Sequence, residues 1–169
     1  MEKEKQKQRG FTLVELILYI GLSAFLLSSV GVVMNVSYQT KARQQVITEV
    51  EQQGTAALQS ISQIIRNASS IISPAAGVSA TSVSVNVSDL SKTPTTFFLS
   101  DSVLQAVENT IITPLTTTRV QVSAVSFKNL SAVGSPGTVK FQFMVAYNNP
   151  GGSPRFVYSK IFYGSASLR

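Results

Sequence analysis

The folding options of this chain are set first by an apolar run, Phe11 to Tyr38, whose only charged residue is Glu15. As a helix its 28 residues would span about 42 Å, against about 30 Å of bilayer hydrocarbon, so it can cross a membrane with length to spare. A carboxylate inside such a segment costs about 2.5–3.5 kcal/mol even on a lenient insertion scale. A buried charge is tolerated when it is paired and hydrogen-bonded. No Lys or Arg lies between Phe11 and Tyr38. The partner of Glu15 therefore comes from another molecule, or from an amine made by cutting the chain close by. A conventional secretory signal does not fit, because its apolar core is about 7–15 residues long and ends in a small-residue cleavage site. No Ala-x-Ala follows here. An uncleaved signal anchor would explain the length but would leave Glu15 unpaired.

Ahead of the run stands a short leader with Lys3, Lys5, Lys7 and Arg9 against Glu2 and Glu4. The junction Arg9-Gly10-Phe11-Thr12-Leu13-Val14-Glu15 resembles the processing site of type IV prepilins and type II secretion pseudopilins. The resemblance runs closely from Gly10 to about Tyr38. It implies that a prepilin peptidase cuts between Gly10 and Phe11 and methylates the new amine of Phe11. Glu15 then becomes the fifth mature residue and pairs with the terminal amine of a neighbouring subunit in a filament, which supplies the missing partner. The resemblance also implies a cytoplasmic leader and a domain outside the membrane. Its implied partners are other pilins or pseudopilins, an inner-membrane assembly platform and membrane lipid. The basic residues of the leader, with Lys41 and Arg43 beyond the run, set orientation only weakly by themselves.

The rest of the composition agrees. At 169 residues the chain allows one domain plus an anchor. Of its net charge of +6 the leader carries +2, leaving a mild +4 that does not by itself argue for nucleic acid. Cysteine is absent, which excludes a disulfide framework and thiol chemistry. Histidine is absent too, removing the usual general base and the commonest metal ligand. No catalytic constellation, cofactor or metal site is expected.

No proline occurs between Phe11 and Ser73, and Pro74 is the first in the chain. Past a polar stretch from Gln39 to Gln45, apolar residues from Ile47 through Val50, Ala57, Ile61 and Ile65 to Ile72 recur at three- and four-residue steps, the stripe of an amphipathic helix. The pattern predicts one helix from Phe11 to Ser73, about 95 Å long, stopped by Pro74 and Gly77. Gly54 reads as a weak point of about 1 kcal/mol and a possible bend. Gly21, Ala24, Ser28 and Gly31 suit close helix packing, or are simply small residues facing lipid.

Residues 74–169 are rich in Ser, Thr and Val with alternating apolar positions. Six strands are predicted: Ser82–Val87, Thr95–Leu99, Val103–Val107, Thr118–Lys128, Thr138–Asn148 and Arg155–Tyr163. The fourth changes phase between Val122 and Val125, which suggests a bulge. The fifth sets Val139, Phe141, Phe143, Val145 and Tyr147 on one face against Lys140, Gln142 and Asn148 on the other. The predicted organisation is a leader (1–10), a membrane and filament-core half-helix (11–38), an amphipathic half-helix (39–73) and a β-rich head (74–169). The fold class is α+β, pilin-like, a long helix packed on a small antiparallel sheet. More loosely, the order Asp101-Ser-Val-Leu-Gln-Ala, then Ile112-Thr-Pro-Leu-Thr116, then Val125-Ser-Phe127 resembles minor pilins and pseudopilins of the W and J type.

Weaker candidates remain. Asp89, Asp101 and Glu108, the acids of the head, are scattered, whereas calcium asks for six to eight close oxygens. Asn67, Asn86 and Asn129 open glycosylation triplets of a kind common by chance in a Ser-rich chain. Lys128, Lys140, Arg155, Lys160 and Arg169, with Phe156, Tyr158 and Tyr163, could gather into a surface for single-stranded nucleic acid. The plainer account is that exposed strands carry charge for solubility and to blunt their edges. The functional readings are a structural filament subunit, a filament-tip module binding DNA or a surface, and a plain membrane-anchored protein outside the membrane.

Overall fold

The computed structural model describes residues 12–132 and 137–169. Its backbone order is one long helix followed by nine strands among the described residues. The chain divides into two compact units, Met1–Ala42 and Arg43–Arg169.

The helix α1 runs Leu13–Arg66. Within the first unit its apolar residues are exposed from Leu13 to Tyr38, as expected of a surface meant for lipid or for other chains. Within the second unit its buried residues are Val46, Val50, Gly54, Ala57, Ile61 and Ile65, a stripe at steps of three and four. The helix ends seven residues before the predicted Ser73. The Asn67 amide closes the last turn onto the carbonyls of Gln63 (3.1 Å) and Ile64 (3.2 Å). Ala68–Ser73 then forms strand β1. Ile71 and Ile72 continue the helical spacing, but Ser and β-branched Ile hold a helix weakly, and the strand gains a full antiparallel partner instead.

The strands that follow are β2 (Ser79–Ala80), β3 (Val83–Val87), β4 (Thr95–Ser100), β5 (Val103–Glu108), β6 (Ile111–Pro114), β7 (Val120–Asn129), β8 (Thr138–Tyr147) and β9 (Ser159–Ser167). They make two antiparallel sheets, β1-β3-β4-β5-β6 and β2-β7-β8-β9, where a single sheet was expected. β1, β2 and β6 were not predicted, because they are short or sit at sheet edges. The last strand starts at Ser159 and not at Arg155. Pro154–Phe156 forms a 3-10 turn, consistent with the fixed φ and missing N–H of proline.

The phase change in β7 is a bulge. Its pairing with β8 slips between Ser123 and Ser126, and Ala124 takes φ 51°. The slip lets Val120, Val122, Val125 and Phe127 all reach the core. β8 alternates as expected, with Val139, Phe141, Phe143 and Val145 buried and Lys140 and Gln142 exposed. One core joins the lower helix (Val50, Ile61, Ile65) to Phe97 and Leu104 of the first sheet and to Phe127, Phe141 and Phe143 of the second. Phe162 stacks on Phe143 at 5.6 Å and 17°. A Cβ on Gly54 would lie 2.2 Å from the Phe162 ring. Gly54 is therefore a point of close approach and not the soft spot suggested by its helix propensity.

Candidate functional site

Thr12 and Glu15 begin α1. The Glu15 amide donates to Thr12 Oγ1 at 3.3 Å, and the Leu16 amide donates to the Thr12 carbonyl at 3.1 Å. Thr12 thus caps the helix, and Glu15 occupies its first turn. Thr-x-x-Glu before an apolar run is the capping-box spacing, a signal present in the sequence itself. A carboxylate in the first turn is also favoured by the helix dipole, by about 0.3–1 kcal/mol at an exposed site. Gly10 and Phe11, the expected processing residues, lie outside the described residues.

Below this end, α1 has an 18-residue stretch of mean hydropathy 2.3, none of it buried. Hydroxyls along the helix fold back onto it: Ser28 donates to the Ala24 carbonyl (2.8 Å), Ser37 to Val33 (2.9 Å) and Thr40 to Val36 (3.0 Å). Such bonds satisfy polar groups without water, as a hydrocarbon environment demands. A Cβ on Gly21 or Gly31 would meet nothing within 4 Å.

In the second unit, α1 is tied to the sheets by polar contacts. Glu51 pairs with Lys160 at 2.8 Å and Glu49 with Arg119 at 3.8 Å, and the Thr117 amide donates to Gln53 Oε1 at 3.3 Å. The hydrogen bond and charge of Lys160 hold the Glu51 carboxyl below its ordinary range. Glu51 in turn raises the Lys160 ammonium.

The structure divides the expected basic and aromatic surface. Lys160 pairs across the sheet with the buried Val145 and so faces α1, where Glu51 takes it. Tyr158 donates to the same carboxylate at 3.5 Å, and Phe156 packs on Tyr147. Arg169 lies at the other end of the unit, beside Arg66 and Asn67. Lys128 and Lys140 stand directly opposite each other on the outer face of β7 and β8. Tyr163 is exposed on that face, one row away. The side chain of Arg155 lies outside the described residues.

The acids of the head remain apart. Asp89 accepts from the Ser91 amide and hydroxyl, which lower its carboxyl. Glu108 pairs with Lys92 at 3.3 Å, and Asp101 sits in the β4–β5 turn at φ 49°. Among the described residues no three His, Cys, Asp or Glu converge as metal ligands. Asn129 is buried, donating to the Pro74 carbonyl at 2.8 Å, so its triplet has a structural use.

A family model, the prokaryotic N-terminal methylation motif, matches residues 5–31. No curated protein and no solved structure matches the chain. The match supports a type IV prepilin-like chain, a class that is structural and not catalytic. The motif implies processing by a prepilin peptidase and assembly with other pilins. The exposed apolar helix fits a membrane-anchored pilin.

Proposed function

We propose that this chain is a minor pilin or pseudopilin, a structural subunit of a type IV pilus or a type II secretion-like filament. The observation that carries the reading is a coincidence in one place. The methylation-motif match over residues 5–31 falls on the leader and on the start of a helix whose apolar residues from Leu13 to Tyr38 are unburied within their own chain. A surface of that kind needs lipid or other helices around it.

On this reading the leader holds Gly10 at the cytoplasmic face while residues 11–38 lie in the bilayer and the β-rich domain stands outside. The peptidase cuts between Gly10 and Phe11, and the Phe11 amine, N-methylated, is a positive charge that did not exist before. As the subunit leaves the membrane for the filament, Glu15 meets the Phe11 amine of a neighbour. Apolar helix packing supplies most of the cohesion. The ion pair sets axial register, because a mismatched subunit leaves a charge buried alone. The assembly platform and other subunits are the partners, and the head is of the W or J type.

Intact mass and N-terminal sequencing of the protein from native membranes test this. A chain that starts at Phe11 and is one methyl heavier is expected. A chain that starts at Met1 overturns the reading. That outcome would favour a plain membrane anchor, for which the place of Glu15 in the first turn of α1 is the supporting observation: the helix dipole favours a carboxylate there.

A further inference from the structure

The acids of this chain stop at Glu108, while six basic residues follow it, from Arg119 to Arg169. The second sheet therefore has no carboxylate on any of its strands β2, β7, β8 and β9. Two of the six basic residues are neutralised from α1, Arg119 by Glu49 and Lys160 by Glu51. Lys128 and Lys140 are treated differently. The register runs Ser79↔Lys128 from β2 to β7, Lys128↔Lys140 from β7 to β8, and Lys140↔Ser165 from β8 to β9. One row across the sheet is thus Ser, Lys, Lys, Ser. Both lysines are exposed, and neither has an ion pair or a hydrogen bond among the described residues. Like charges directly opposite on a sheet repel and destabilise it, and the fold supplies nothing to offset this pair.

The next row supplies further donors. Ser126 stands opposite Gln142. Ser79, Ser126, Lys128, Lys140 and Gln142 line a shallow cavity of about 140 Å³. With Phe141 at its floor, its lining residues carry two lysine ammonium groups, two serine hydroxyls and a glutamine amide, and no carboxylate. Such a donor set suits a tetrahedral oxyanion, which can accept from several directions at once and can compensate both lysines. A planar carboxylate offers two acceptor atoms in one plane and reaches fewer of these donors. We infer that the Lys128–Lys140 cavity on the outer face of the second sheet is a binding site for a phosphate group. This inference stands on the sheet alone and does not depend on processing at Gly10 or on filament assembly.

The test uses the full chain in a neutral detergent, titrated with inorganic phosphate and followed by the amide resonances of Ser79, Ser126, Lys128, Lys140 and Gln142. Saturable shifts confined to those residues are expected, and acetate at equal ionic strength should not reproduce them. Lys128→Gln and Lys140→Gln each remove a charge-assisted hydrogen bond and should weaken binding about tenfold. Lys140→Glu should abolish binding yet raise the midpoint of thermal unfolding, because it turns a repelling cross-strand pair into an attracting one. A stabilised protein that no longer binds excludes misfolding as the cause of the loss. Two phosphodiester and phosphomonoester carriers then separate the sources. A gain with a short oligothymidylate that collapses with salt marks a polynucleotide strand, and a gain with glycerol phosphate alone marks a lipid-type headgroup. An unsaturable titration, or a Lys128→Gln/Lys140→Gln protein that binds phosphate as the parent does, overturns the assignment.

Discussion

Replacing Gly54 with alanine sets two physical effects against each other, and the structure decides the sign. In an isolated helix the change is favourable, by about 0.8–1 kcal/mol of helix propensity. In this chain the added methyl would lie 2.2 Å from both Cε2 and Cζ of Phe162. That ring is buried and stacked on Phe143 at 5.6 Å, so it has no free direction in which to retreat. Forcing a methyl into a filled core costs about 1–3 kcal/mol, and a contact this short on a rigid ring belongs at the upper end. Subtracting the propensity gain leaves a net destabilisation of about 2 kcal/mol. For a domain of this size that lowers the unfolding midpoint by roughly 4–8 °C. The assay is thermal unfolding of the detergent-solubilised protein, followed by near-ultraviolet circular dichroism. The cycle closes with Phe162→Leu, whose smaller side chain should relieve the clash, so that Gly54→Ala costs little in that background. A Gly54→Ala protein as stable as the parent, or more so, would refute the close-approach argument and restore Gly54 as a mere weak point of the helix.

Four further outcomes are expected. Glu15→Ala should yield a protein that is cleaved and held in the membrane but recovered poorly with sheared filaments; normal recovery would sink the pairing role. Gly10→Leu should block cleavage while Gly10→Ala is better tolerated, as read from the mass of the membrane-borne chain, and cleavage of the leucine variant counts against a close backbone approach at the cut. Glu51 has a depressed carboxyl, so its contribution to stability is present above its unfolded value near 4.5 and is lost as pH falls below that. Glu51→Gln should accordingly flatten the acid limb of the stability profile below about pH 4.5, and an unchanged limb would show the Lys160 pair to be ornamental. Asn129→Ala strips the buried Pro74 carbonyl of its donor and the Ser131 amide of its acceptor. It should cost about 1–3 kcal/mol in denaturant unfolding, and a neutral result would mean that water replaces the side chain.

What was legible in the sequence was what depends on near neighbours along the chain. The apolar run from Phe11 to Tyr38 and its lone Glu15 needed only counting. The stripe through Val50, Ala57, Ile61 and Ile65 follows from helical periodicity, and the alternation of β8 from strand periodicity. Even the bulge in β7 showed as a slip in that alternation between Val122 and Val125. The Thr12–Glu15 cap is equally local, a bond of the Glu15 amide at a three-residue spacing.

Tertiary structure alone decided the rest, because those choices are made by residues far apart in sequence. Ala68–Ser73 keeps a helical spacing, yet pairing with β3 takes it into a sheet. The division into two sheets is a matter of which strands find each other, and alternation does not specify that. Gly54 looked soft until Phe162, more than a hundred residues later, filled the space beside it. Lys160 and Lys140 looked alike as strand charges, but their register sends one inward to Glu51 and leaves the other beside Lys128. A side chain's face follows from its own strand's period, whereas its partner follows from the neighbouring strand's register, and only the folded chain brings the two together.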